Sequence, residues 1–392
     1  MGRRWPDVSA WFILTGEYPP ACGGVGDYTA QLAAALAAAG DEVAVFHPPM
    51  RAPAPAARGV QATALPDRFG SASRRHLEHA LSSAPVAPAI LVQYVPQAFG
   101  MRGANLPFCR WLAALGRTGQ DVRVMFHEPY GYFSWRPDHD AIALLQRVMA
   151  ATLMRGTGRA YFSTSTWHRY LSRYAPDRRR PDTLPIPSGI PRVEDAAAVD
   201  ALRRRFAPGG GPIVGHFGTY GDHVTRELRP ALLALLHDDS RAIVLCIGAS
   251  STAFVDRLAA SVPSASGRLH ATGRLAPELT SVHLQACDVL VQPYPDGATT
   301  RRTSLMAGLL NGCAVVTTSG PLTEPIWEQT AAVRLAPAGN ARAVAAAARS
   351  VLADSRERAA LADRGFATYQ SSFSLDRTID ILRSGARQAP AA

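Results

Sequence analysis

Apolar and polar positions along this chain repeat in two alternating rhythms. Short apolar runs bounded by Gly, Pro or Asp read as buried strands: SAWFIL from Ser9, EVAVFH from Glu42, AILVQY from Ala89, DVRVMFH from Asp121 and RAYFST from Arg159. Between them the apolar period shifts to that of a helix, most clearly in TAQLAAALAAAG. Leu32, Ala35, Leu36 and Ala39 share one face there, and Gly40 ends the helix. Residues 48–66, rich in Pro and Ala, read as a loop, and LPIPSGIPRV (184–193), dense in proline, reads as an interdomain linker. A second series follows with PIVGHFG, AIVLCIG, RLHATG, DVLVQPY, CAVVTTS and AVRLAP, each trailed by a helix signal. No short repeat period is visible. Amphipathic helices fill the chain from about Asn340, and the tail GARQAPAA reads as frayed. Two such series predict an α/β protein of two doubly wound domains, residues 1–190 and 191–373, with mainly parallel sheets.

Length agrees, since 392 residues is long for one core and natural for two. No apolar run of spanning length is free of charge, so no transmembrane helix is expected. The opening MGRRWPDVSAWFILTGEYPP places basic residues before an apolar run, but Asp7 and Glu17 flank that run and no small-residue cleavage site closes it. It reads as a first strand rather than a signal peptide, and a cytoplasmic protein is expected. Five scattered cysteines (Cys22, Cys109, Cys246, Cys287 and Cys313) have no metal-ligand spacing, so neither a metal nor a cofactor is expected. The net charge is +10, and every Lys/Arg cation is arginine, because the sequence has no lysine. With the alanine richness this points to a GC-rich, actinobacterial-like composition, so part of the basicity is codon bias. What remains suits anionic ligands or an acidic membrane surface. Nucleic acid is not expected, because the arginines are dispersed and carry no nucleic-acid motif; only RYLSRYAPDRRR (169–180) is locally dense.

Candidate chemistry collects at strand ends. PDGATTRRTSLMAGLLNG (295–312) leaves the apolar run DVLVQPY through a turn. It is expected to enter a helix whose first turn carries Thr299, Thr300, Arg301 and Arg302. Free N–H groups at a helix start, with two arginines, suit a diphosphate; a plain βα turn with solvated arginines is the alternative. In GEYPPACGGVGDYTAQL, Gly23, Gly24 and Gly26 let the backbone approach a ligand closely, or simply form a tight turn. The spacing is not that of a nicotinamide or flavin site. At FHEPYGYF, His127 and Glu128 end a strand, where His127 would bond a sugar hydroxyl or carry a proton, or form a structural pair with Glu128. Gln93 and Tyr94 end the preceding strand and would line the same mouth. GHFGTYGDHVTRE opens the second domain with Gly215 and Gly218, and puts Arg226 within reach of a phosphate.

Taken together, the glycine loop GGVGDYTAQLAAAL, the strand end FHEP, the linker LPIPSGIP, the strand HFGTY and CDVLVQPYPDGATTRRTSLMAGLLNGCAVVTTSG resemble the GT-B glycosyltransferases. The resemblance is greatest to glycosyltransferase family four, the retaining nucleotide-sugar enzymes. It implies two Rossmann-like domains facing across a cleft, the second holding the nucleotide sugar and the first the acceptor, with a final helix (374–392) crossing back to the first. It implies that Gly23 and Gly24 lie near the diphosphate, that His127 touches the transferred sugar, and that Gly273, Arg274 and Leu275 lie beside the base. The acceptor would meet Asp27, Tyr28, Gln93, Tyr94 and Glu128.

The chain departs from the family where charge matters. Thr219 and Val224 stand where the family has an arginine after Gly218 and a lysine farther on, with Arg226 nearby. The family's two glutamates, with seven residues between them, match Thr299 and Ala307 counted back from Gly312, or Asp296 and Ser304 counted forward from the strand. The forward match is preferred. Asp296 would then bind sugar hydroxyls beside Gly297, Ser304 would share a helix face with Arg301, and Arg301, Arg302 and Arg226 would replace the missing cations. The expected activity is metal-independent sugar transfer from a nucleotide diphosphate sugar to a metabolite or glycan hydroxyl. The rival is a non-catalytic sugar-nucleotide-binding scaffold of the same fold. A GT-B epimerase is a third reading, whereas a phosphorylase is disfavoured because its pyridoxal cofactor needs a lysine. The segment 99–115, with Arg102, Phe108, Arg110 and Trp111, would reach a membrane interface or, as preferred, pack on its own domain.

Overall fold

The computed structural model describes residues 9–21, 23–131, 133–174, 182–184 and 186–386. The basic opening residues, Cys22, the arginine-rich end of the 169–180 segment and the tail from 387 lie outside the described residues. The chain divides into two compact units, Ile186–Ser374 forming one, and the residues before it together with those from Leu375 onward forming the other.

In the first unit β1 (Ala10–Thr15), β2 (Glu42–His47), β3 (Val60–Ala64), β4 (Ala89–Tyr94), β5 (Val122–Phe126), β6 (Arg159–Phe162) and β7 (Asp182–Thr183) form one sheet. Its order is β3-β2-β1-β4-β5-β6-β7, and every pairing is parallel. The connections carry α1 (Gly24–Ala38), α2 (Ser71–Ser83), α3 (Leu106–Arg117), α4 (Pro137–Gly156) and α5 (Ser165–Leu171). Alternation along the strands sorts side chains to two faces. Leu14, Phe46, Val92, Tyr94 and Phe126 enter one core with Phe99, Phe108 and Leu112. In α1 the buried face is Tyr28, Thr29, Leu32, Ala33 and Leu36, and Gly40 (φ +94°) follows the helix end, where a left-handed residue is needed. The expected loop 48–66 is corrected in part: β3 occupies its end, pairing Val43 with Val60. VQATA is a half-exposed edge strand with little apolar content, so the pattern understates it.

The second unit holds β8 (Ile213–Phe217), β9 (Ile243–Ile247), β10 (Leu269–Ala271), β11 (Val289–Gln292), β12 (Val315–Ser319) and β13 (Arg334–Pro337). All are parallel, in the order β10-β9-β8-β11-β12-β13. Its helices are α6 (Ala196–Phe206), α7 (Asp222–Asp238), α8 (Ser251–Ser261), α9 (Pro277–Gln285), α10 (Thr303–Leu310), α11 (Ile326–Thr330), α12 (Ala341–Ala353) and α13 (Ser355–Ser372). The order reverses between β8 and β11, the switch point where open α/β sheets present their ligand crevice. Both sheets are thus Rossmann-like, as the pattern predicts.

The last helix, α14 (Leu375–Ala386), returns to the first unit. Asp41 is buried, and its carboxylate accepts from Ser9 N, Trp11 Nε1 and Arg383, whose Nη2 stands 2.7 Å away. Arg383 also donates to Ala39 O at 2.8 Å. Arg123, fully buried beneath the helix, donates to Leu382 O and to Asp121 and lies over the Trp11 ring. A buried cation with several acceptors tolerates desolvation that an isolated one would not.

Candidate functional site

The segment from Tyr294 to Ser304 forms the mouth at the end of β11. The expected helix start is corrected: α10 begins at Thr303 with Arg302 as its N-cap, and Thr299–Arg302 form a separate turn closed by Arg302 N–H to Thr299 O at 3.2 Å. The segment is fastened to the end of β12 and the loop after it. Ala298 N donates to Thr318 O, Leu322 N to Asp296 O, and Thr300 N to the buried carboxylate of Glu324 at 2.5 Å. These bonds hold the 296–300 backbone against its neighbour and set this turn apart from the helix that follows. Gly297 (φ +91°) permits the closeness, since a Cβ there would sit 2.1 Å from Thr323 Oγ1.

Arg302 is the chemically loaded residue of this mouth. Its guanidinium stacks on Tyr294, 4.6 Å from the ring centre, and lies 4.0 Å from Asp296. Its side chain is 17% exposed, and its Nε is buried without a hydrogen-bond partner. Burial lowers its affinity for its proton, and the neighbouring Arg301 charge adds to that; Tyr294 and Asp296 oppose it. A buried cation short of acceptors, crowded by a second cation, is a site that gains from an anion. The Tyr294 hydroxyl sits 2.8 Å from Ser304 Oγ and also meets the Leu305 N–H, so it caps α10. Burial pushes that phenol up to about 12. The expected sharing of a face by Arg301 and Ser304 does not occur, because Arg301 precedes the helix. Arg302 and Ser304 are joined instead, through Tyr294. Thr299 Oγ1 is also buried and unpartnered, and Ala307 is wholly within the core.

Beside it, β8 runs into Gly218, exposed Thr219, left-handed Tyr220 (φ +59°) and Gly221, which caps α7. Val224 packs on the core, and Arg226 is exposed with Nε donating only to its own helix, at Asp222 O. His216 sits under this loop. Its Nδ1 faces Val291 O at 2.8 Å, and burial lowers its pKa to about 4. A carbonyl only accepts, so Nδ1 carries the proton and Nε2 is a buried, unpartnered acceptor, 3.3 Å from where a Gly218 Cβ would stand. On the opposite face Gln292 spends Nε2 on Phe217 O and keeps Oε1 unpartnered. Gly273 (φ +66°) donates its N–H to Ser251 Oγ; Arg274 is exposed and Leu275 half-buried.

In the first unit the glycine loop is filled by the chain itself. Glu17 Oε1 accepts from Val25 N at 2.9 Å and Gly26 N at 3.0 Å, the donors at the start of α1. A Cβ on Gly23 would lie 2.3 Å from this carboxylate, and one on Gly26 would crowd the Glu17–Tyr18 backbone, whereas Gly24 faces open space. Asp27 stands exposed in the same turn, its pKa raised by desolvation and by the Glu17 charge. His127 is buried, with Nε2 2.7 Å from Gln93 Oε1 and the Tyr28 ring edge-on at 5.3 Å. Burial lowers its pKa to about 3, so it is a neutral hydrogen-bonding group rather than a proton carrier at neutral pH. Gln93 Nε2 and the Tyr28 hydroxyl are buried without partners. Glu128 is exposed. The expected place of Tyr94 at this mouth is corrected: strand alternation turns it to the other face, where it packs on Phe99 and Phe126.

Structure therefore groups Asp296, Gly297, Thr299, Arg302 and Ser304 in the second unit, and Gln93, His127 and Tyr28 in the first. Tyr294, Glu324, His216, Gln292 and Glu17 join these places without having been singled out. Glu17 had a visible signal, a carboxylate just upstream of a glycine loop; Glu324 had none, because its partner Thr300 is remote in sequence. Among the described residues no cluster of His, Cys, Asp or Glu is arranged to hold a metal. The four cysteines described are free and buried.

No family model matches the chain, and no curated protein matches it. Solved structures do resemble it. Sucrose-phosphate synthase from Thermosynechococcus elongatus superimposes with a TM-score of 0.71 at 16% identity, over 97% of this chain and 98% of that one. Anabaena HepE in complex with UDP and glucose gives 0.67 at 12% identity, over 97% and 99%. The α,α-trehalose-phosphate synthase (UDP-forming) from Burkholderia vietnamiensis gives 0.62 at 14%, over 98% of both. At such identities the likeness establishes the fold, which is GT-B.

Proposed function

We propose that this chain transfers a sugar from a nucleoside diphosphate sugar to an acceptor hydroxyl, without a metal and with retention at the anomeric carbon. The carrying observation is Arg302: a guanidinium held on Tyr294 at the end of β11, mostly buried, with Nε lacking an acceptor. A leaving diphosphate would supply that acceptor, and a preplaced cation lowers the cost of the negative charge that develops on it. Arg301, Thr300 and Thr299 line the same turn, and Gly218 and Thr219 with the start of α7 are assigned to the donor from the other side of the switch point. The UDP and glucose bound to HepE and the UDP-forming chemistry of the trehalose-phosphate synthase support a nucleoside diphosphate as the shared element. Neutral His127, fixed by Gln93, is suited to bond a hydroxyl of sugar or acceptor.

Isothermal titration with UDP and GDP tests the binding half. Arg302→Ala should weaken binding at least tenfold, about 1.4 kcal/mol, with an unchanged melting temperature. Undiminished affinity removes the diphosphate from this mouth. A non-catalytic sugar-nucleotide-binding reading rests on the absence of a carboxylate at both Thr299 and Ala307. Tight binding without hydrolysis or transfer across a panel of nucleotide sugars and acceptors would favour it.

A further inference from the structure

Seven large apolar side chains stand exposed among the described residues, and five of them, Met101, Phe133, Trp135, Leu144 and Val148, fall on neighbouring pieces of the first unit. Such a grouping differs from singly scattered surface residues, which need no explanation. Gln146 ties the pieces together: its Oε1 accepts from Gly131 N at 2.7 Å and its Nε2 donates to Gly103 O at 3.1 Å. The loops after β4 and β5 are therefore both fastened to α4. Arg147 extends the link, donating to Gly131 O and stacking on Tyr130 at 4.3 Å and Phe133 at 4.1 Å. Leu144 and Val148, one turn apart, form an outward apolar stripe on α4.

Trp135 is the outlier. It is 96% exposed and holds φ at +62°, a region that bulky residues rarely adopt. The unit itself gains nothing from a strained, fully exposed indole, so the compensation comes from outside. Exposed arginines accompany it: Arg102 beside Met101, Arg136 beside Trp135, and Arg155 farther along α4. The nearby acids are partly occupied, Asp138 lying 3.8 Å from Arg136 and Asp140 accepting from Ser134 N at 2.7 Å.

We infer that this face docks on an anionic membrane surface, with Trp135 and Phe133 entering the headgroup boundary and the arginines meeting lipid phosphates. Indole and arginine are the side chains that tolerate that boundary, one end apolar and the other wet. Aliphatic Leu144, Val148 and Met101 fit acyl chains and not nucleic-acid bases. A second copy of this chain is opposed by charge, because each carries +10. The adjacent α3, by contrast, buries Phe108, Cys109, Leu112 and Ala113 in its own unit.

Vesicle co-sedimentation of the full chain tests the inference, comparing phosphatidylcholine alone with an equal mixture of phosphatidylcholine and phosphatidylglycerol. The protein should sediment with the anionic vesicles only, and less at high salt. The double variant Phe133→Ser/Trp135→Ser should partition at least tenfold more weakly, and Arg102→Ser/Arg136→Ser several-fold, with nucleotide affinity unchanged as a check of folding. Absence of sedimentation with anionic vesicles, or equal sedimentation of the aromatic variant, overturns it. So does concentration-dependent self-association that the aromatic variant abolishes, which would assign the face to a second copy.

Discussion

The carboxylate of Glu17 occupies the space that Gly23 leaves by having no side chain, and from there it closes the start of α1. The glycines of this loop accommodate the chain's own anion. Glu17→Ala removes two charge-assisted bonds and should cost about 1.5–3 kcal/mol. Gly23→Ala should cost a comparable amount by expelling the same carboxylate, so the double variant should be far less destabilised than the sum. Denaturant titrations of the four proteins measure this coupling. Additive losses would mean that the two residues act separately.

Arg302 and Tyr294 make a second testable pair. Arg302→Lys keeps the charge but loses the planar stack on Tyr294. It should recover less than half of the nucleotide-binding energy lost in Arg302→Ala. Tyr294→Phe keeps the ring and removes the cap on α10, so it should reduce stability by about 1 kcal/mol and leave affinity within a few-fold. Equal affinity losses in Tyr294→Phe and Arg302→Ala would show that the hydroxyl, too, meets the ligand.

Burial depresses His127 to about 3 and His216 to about 4. Both bind protons more readily unfolded, near 6.5, than folded. Their contribution is therefore complete above about pH 6.5 and is lost as pH falls toward the folded values. Each pH unit in that window costs roughly 1.4 kcal/mol per histidine. Unfolding free energies from pH 8 to pH 4 should fall more steeply for the native chain than for His127→Gln or His216→Gln. Parallel curves would refute the neutral-imidazole assignment.

Glu324 fixes the turn before α10 through Thr300 N. Glu324→Ala leaves a buried N–H without its carboxylate and should destabilise the second unit by about 1–3 kcal/mol. Nucleotide affinity should fall with it, because Arg302 follows directly on that turn. Hydrogen exchange at Thr300 and its neighbours reports the loosening; unchanged protection would place the anchor elsewhere.

The inner strands of the second sheet, β8, β9, β11 and β12, and the helix ending at Gly40 were legible because burial on both faces produces unbroken apolar runs and glycine marks a left-handed stop. Strand β3 was not, since an edge strand exposes half its residues. The candidate site was legible as a place more than as a geometry. Residues 295–304 do line the end of β11, yet their backbone is set by Thr318 in β12 and Glu324 in the loop after it, about twenty residues on and beyond the reach of any local period. Tyr94 illustrates a simpler loss. Adjacent strand residues point oppositely, so Gln93 and Tyr94 cannot both face one mouth. In the glycine loop, spacing alone does not reveal that the Glu17 carboxylate lies beside Gly23 and bonds the start of α1.

The bond between Asp41 and Arg383 joins the turn before β2 to the final helix. In a nascent chain Asp41 leaves the ribosome long before its counter-ion exists. The first unit therefore cannot complete this ion pair until the whole of the second unit and α14 as far as Arg383 have been synthesised. Premature termination between Ser374 and Arg383 would thus leave Asp41 of the first unit without its counter-ion.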